Sequence, residues 1–140
     1  MKYLIKNFGL KEIMFYDDLM PQKYAKELSE EIIRSMVIKG KVESSIIRFG
    51  TIFGVSQGMR FHTAINKFCW QAVLGKPLTV WSTALNQKRP YLGINDAINC
   101  INFFLKSEIF DGEIYNAVTS NYTVQQVIET MKNYIDDLHI

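Results

Sequence analysis

The chain has 140 residues, 48% of them hydrophobic, with 16 Lys and Arg against 14 Asp and Glu for a net charge of +2. That length can bury a core without disulfides or a metal, and the interspersed charges argue against nucleic acid as the main partner. No apolar run approaches the roughly 18–20 residues of a membrane span, and "MKYLIKNFGLKEI" lacks the apolar stretch and small-residue cleavage site of a leader, so a soluble, cytoplasmic protein is expected. Cys69 and Cys100, each inside an apolar helical pattern, are expected to be buried free thiols, and the two histidines, His62 and His139, give no expectation of a metal site.

Residues 1–20 yield no assignment beyond "EIMF" as a strand candidate. From Pro21 to about Lys39 the pattern predicts a helix with Ala25, Leu28, Ile32 and Met36 on one face, widened by Tyr24, Ile33 and Val37. So wide a stripe implies contact with two surfaces. Gly40 ends that helix; "SSIIRF" (44–49) then predicts a buried strand and "GTIFGVSQG" (50–58) the loop that leaves it. A second helix is expected from about Phe61 to Leu74, with Ile65, Phe68, Cys69, Ala72 and Val73 at helical spacing, stopping at Gly75. "PLTVW" (77–81) predicts a short strand, and "RPYLGI" is extended by its proline. Asn95 and Asp96 are expected to open a helix containing Ile98, Ile101, Phe104 and Leu105. "GEIYNA" (112–117) predicts another strand. Thr123 and Gln126 form a capping box for a last helix whose buried face is Val124, Val127, Ile128, Met131 and Ile135. Strands alternating with helices imply an α/β fold with a small or incomplete parallel sheet, residues 21–140 forming one domain after an unassigned segment 1–20.

Several stretches occur in a fixed order: Lys26 with Glu30, "RFGTIFG" (48–54), "GKPLTVW…NQKRPYLGINDA" (75–97) and the closing "GEIYNAVTSNYTVQQVIE". Over roughly residues 21–135 they resemble the NAD-dependent epimerase/dehydratase family, the extended short-chain dehydrogenases that act on nucleotide sugars. The resemblance implies a Rossmann-type fold of which this chain is the C-terminal, nucleotide-sugar-binding portion, in an enzyme about twice as long. The family's dinucleotide-binding half begins with a Gly-rich turn, and no GxGxxG occurs here. Gly50, Gly54 and Gly58 come nearest, but they lie in the family's later motif.

The family's catalytic pair is a tyrosine four residues before a lysine, so that both leave one helix face. The lysine lowers the phenol's pKa and hydrogen-bonds the nicotinamide ribose; the tyrosinate takes a sugar hydroxyl proton as hydride leaves for NAD. The motif matches Lys26 to that lysine and puts Gln22 in the tyrosine's place, and glutamine has no proton to titrate. Tyr24 points about 160° away from Gln22 around a helix. By the same resemblance Lys26, Phe49 and Gly50 are cofactor contacts, and Thr51, Asn66, Thr79, Trp81 and Arg89 are substrate contacts, Arg89 clasping the diphosphate and Trp81 stacking on the base. Arg60, His62 and Asn66 lie in "MRFHTAIN", which lines the sugar pocket in similar proteins. Each position has an ordinary alternative: Lys26 as a solvated partner of Glu30, Tyr24 and Trp81 as packing residues, Arg89 as a surface charge, Asp96 as a helix cap. The implied ligand is a UDP-type sugar. NAD is the family's cofactor but is not expected to bind tightly to this chain alone. The implied function is a binding portion inactive by itself; the alternative is a non-enzymatic module that forms a homodimer through helix 21–39 or docks with a dinucleotide-binding half.

Overall fold

The computed structural model describes residues 22–135 and 138–139, with Gln22 and Lys23 as backbone alone. The "EIMF" strand candidate lies outside the described residues. Two compact units emerge, one from the described residues up to Ile46 together with Ile109–Ile114, the other from Ile47–Glu108 with Tyr115 onward.

The first unit is built on helix α1 (Gln22–Ile38), closed by Gly40, whose φ of +64° lets the Gly40 and Lys41 amides bond back to Val37 and Met36 carbonyls. Strand β1 (Ser44–Phe49) and strand β4 (Asp111–Ala117) pair as a two-stranded sheet whose first residues belong here. Val37 approaches so closely that a Cβ on Gly112 would lie 3.0 Å from its Cγ1, and Arg34 pairs with Glu113 at 3.5 Å. Those contacts decide which side of α1 is covered. Ala25, Ser29, Ile33 and Val37 are partly buried, while Leu28, Ile32 and Met36, expected beside Ala25 on the packed face, are exposed with Tyr24.

In the second unit strand β2 (Thr51–Phe53), strand β3 (Lys88–Gly93) and strand β5 (Ser120–Thr123) form a sheet in the order β2–β3–β5. Thr51 lies opposite Tyr91 in the parallel β2–β3 pair, and Arg89 lies opposite Tyr122 in the antiparallel β3–β5 pair. The expected small parallel sheet is therefore present with an antiparallel edge. Helix α2 (Ala64–Val73) begins three residues later than its periodicity predicted, because residues 61–63 form a turn. Helix α3 (Ile94–Ser107) starts after Gly93 as N-cap; Asn95 and Asp96 fall inside its first turn instead of opening it. Helix α4 (Val124–Lys132) carries the expected capping box, with the Gln126 amide donating to Thr123 Oγ1 and the Thr123 amide to Gln126 Oε1.

Successive residues of β3 face opposite sides of the sheet. Tyr91 packs with Phe68, Leu78, Val124, Val127, Ile128 and Met131, and Leu92 packs with Ala97 and Ala117. The 77–81 segment is not a strand. Its backbone is held by other partners: the Leu78 amide donates to the His139 carbonyl at 2.9 Å, and the Thr79 amide donates to Gln71 Oε1 at 3.4 Å. Cys100 is half-buried, but Cys69 is exposed, on the outer side of α2 beside Trp70. Among the described residues no helix is long and apolar enough to cross a membrane, and no group of three or more His, Cys, Asp or Glu could hold a metal.

Candidate functional site: a cation-lined cavity

Within the second unit a cavity of about 300 Å³ opens between α2, the 79–81 segment, β3 and the start of α4. Its apolar wall is Ala64, Phe68, Val80, Ala84 and Val124, and its polar groups are His62, Lys67, Thr79, Trp81 and Arg89. None of the described lining residues is a carboxylate, and the charged ones, Lys67 and Arg89, are cationic.

The 79–81 segment is fixed from α2. Gln71, itself buried, donates through Nε2 to Thr79 Oγ1 at 3.1 Å and accepts the Thr79 amide through Oε1, while Lys67 Nζ reaches the Thr79 carbonyl at 3.5 Å. Residues 63, 67 and 71 share one row of an α-helix, which is why both side chains meet the same residue. Beyond this clamp Trp81 is 79% exposed, an indole held at the rim with its face available. Across the cavity Arg89 leaves β3 with an exposed guanidinium that donates to Gln87 Oε1 at 3.0 Å. Tyr91, on the same face of β3, is buried among Phe68 and Val124; burial pushes its phenol pKa up and the Arg89 charge partly offsets that rise.

Four residues singled out in the sequence, His62, Thr79, Trp81 and Arg89, thus share one cavity. The others are not among its lining residues. Asn66 is buried, with Oδ1 accepting the Gly54 amide at 3.2 Å and Nδ2 donating to the Arg60 carbonyl at 3.1 Å, so it ties the loop after β2 to the turn before α2. Thr51 sits in β2, Phe49 is exposed, and the Gly50 amide donates to the Ala117 carbonyl at 3.0 Å. Asp96 accepts a hydrogen bond from Thr119, whose hydroxyl in turn accepts the Gly93 amide at 2.9 Å. Lys26 and Tyr24 are exposed on α1, in the first unit, and Gln22 begins that helix. Lys67 was not singled out from the sequence. The signal for it was the polar row Thr63, Lys67 and Gln71 on a helix whose neighbouring Phe68 is core.

A sequence model of the NAD dependent epimerase/dehydratase family matches residues 13–117. Among curated proteins the chain is 38% identical over 69 residues to the chloroplastic UDP-sulfoquinovose synthase of Spinacia oleracea, covering 48% of this chain and 14% of that one. It is 30% identical over 78 residues to the UDP-sulfoquinovose synthase of Sulfolobus acidocaldarius, covering 54% of this chain and 20% of that one. Among solved structures its fold resembles a mutant UDP-glucuronic acid 4-epimerase from Bacillus cereus in complex with UDP-4-deoxy-4-fluoro-glucuronic acid and NAD, with a TM-score of 0.74 at 21% identity, covering 94% of this chain and 43% of that one. The chain therefore spans less than half the length of the proteins it matches. With the family's sequence model matching most of its length, the chain belongs to the NAD-dependent epimerase/dehydratase family.

Proposed function

We propose that this chain is the nucleotide-sugar-binding portion of an NAD-dependent sugar-nucleotide epimerase or dehydratase. The observation that carries this reading is the cavity lined by Arg89, Lys67 and a rim tryptophan, with no carboxylate among its described lining residues. A guanidinium offers paired N–H donors to a diphosphate, and an exposed indole offers a face to a nucleobase. Relatives whose names specify UDP-sugars point to uridine diphosphate as the handle, with His62 and Thr79 toward the sugar.

In such enzymes NAD accepts hydride from a sugar carbon, and its pyrophosphate needs a run of free backbone amides. The Gly50 and Gly54 amides do not offer one, being engaged by the Ala117 carbonyl and by Asn66 Oδ1. On this reading Lys26 is the remaining member of the catalytic pair, Gln22 cannot serve as its base, and turnover requires the dinucleotide-binding half. Calorimetric titration with uridine diphosphate tests the proposal. The wild-type chain is expected to bind, and Arg89→Ala to bind about 10- to 100-fold more weakly, as befits loss of hydrogen bonds to a charged group. Binding that survives Arg89→Ala unchanged would remove the basis for the reading.

A second reading rests on a different feature. Tyr24, Leu28, Ile32 and Met36 form an exposed stripe along α1, at the four-residue spacing by which helices pack. On that reading the chain is a non-enzymatic module that pairs with a second copy of itself through α1, and a chain that sediments as a monomer at micromolar concentration would exclude it.

A further inference from the structure

Arg89 and Tyr91 are two residues apart on β3, so both side chains leave the same face of the sheet. Gln87, two residues before Arg89, holds the guanidinium in this structure, and that contact is exposed. Tyr91 is 1% exposed and belongs to the same buried cluster as Phe68 and Val124, two residues of the cavity wall. Its hydroxyl is buried and has no hydrogen-bond partner among the described residues. A buried hydroxyl in that condition is destabilising, and phenylalanine would fill the same core space without it. The Arg89 charge is already felt at this phenol, opposing the upward push of burial on its pKa.

We propose that Tyr91 is the positioning residue for Arg89: as a nucleoside diphosphate enters, the guanidinium leaves Gln87, turns inward and donates to the Tyr91 hydroxyl. Anchored along one edge, it presents its remaining N–H groups to the phosphates in a fixed orientation. An arginine recognising a diphosphate gains most when its own rotamer is locked by a second contact. Gln87 cannot lock the inward rotamer, because it lies before β3 begins and its contact with Arg89 is in the open. This role rests on reading the cavity as a nucleoside diphosphate site.

The test is a double-mutant cycle on the full chain, with uridine diphosphate as the probe in calorimetric titrations and thermal unfolding run on every variant. Tyr91→Phe is expected to weaken binding about five- to tenfold, the size of one hydrogen bond in a charged network, without lowering the melting temperature. On an Arg89→Ala background the same substitution is expected to have no further effect, since a positioning residue acts only through its partner. Three results would overturn the assignment: Tyr91→Phe binding as tightly as wild type, an equal loss on both backgrounds, or a clear fall in melting temperature, which would give the hydroxyl a structural partner. A wild-type chain that binds no uridine diphosphate would instead overturn the cavity's reading, and the positioning role with it.

Discussion

Helices α4 and α1 carry the same kind of pattern and meet opposite fates. In α4 the aliphatic residues Val124, Val127, Ile128 and Met131 recur at three- and four-residue spacing, and all four are buried. In α1 Leu28, Ile32 and Met36 recur at four-residue spacing, and all three are exposed, Ile32 by 46%. Periodicity locates an apolar face on a helix; what covers it depends on partners that the helix itself does not encode. For α4 the partners are at hand, Phe68, Leu78 and Tyr91. For α1 the close approach of Val37 to Gly112 turns a different row inward.

Core substitution in α4 tests that contrast most severely. Ile128→Ala removes a side chain that is 4% exposed from the centre of the cluster, and is expected to cost about 2–5 kcal/mol in urea denaturation. A loss below about 1 kcal/mol would mean that the cluster is loosely packed and that α4 differs from α1 less than its burial suggests. A smaller effect sharpens the same comparison at the start of α4. Thr123→Ala removes the oxygen that accepts the Gln126 amide at 3.1 Å, and about 1 kcal/mol of stability should go with it. Because the β5 backbone pairing of residue 123 with Lys88 does not need the side chain, the loss reports the cap alone.

The same distinction explains what could be read in advance. The helices α1 to α4, the strands β1 and β4 and the capping box are legible because each rests on local pattern or local chemistry, though β1 is half-buried and not buried, and the β3 segment reads only as extended. The three-residue β2, inside a Gly-rich stretch that reads as loop, and the four-residue β5 are not legible: neither is long enough to display alternation, and both exist because β3 lies between them. "PLTVW" has a strand's composition but is held by Gln71 and Lys67 of the preceding helix and by His139 near the far end of the chain. At the site, Arg89, Trp81, Thr79 and His62 were found through motif resemblance, whereas Lys67 and Tyr91 were not. Lys67 reads as an ordinary helix-surface cation until Thr79 is placed against it, and Tyr91 reads as core until its hydroxyl is found without a partner. Tertiary contacts supply both signals, so no local window contains them.

The smallest expected effect on stability is the one that separates the two helices most cleanly. Ile32→Ala in α1 deletes the same atoms as Ile128→Ala, but from a side chain already half in water, so a dilute chain should lose no more than about 0.5 kcal/mol. An equal loss for both substitutions would mean that α1's outer row is covered within the chain, and the contrast between the helices would collapse. Chain concentration then becomes the deciding variable. If a second copy packs on the row Leu28, Ile32 and Met36, the wild-type melting temperature rises with concentration, because association stabilises only the folded form. Ile32→Asp should abolish that rise by placing a charge in the apolar interface, and should sediment as a monomer where the wild type sediments as a dimer. Since Ile32 is not one of the cavity's lining residues, uridine diphosphate affinity should stay that of the wild type. A joint loss of dimer and ligand binding would instead tie the two readings of this chain to one assembly.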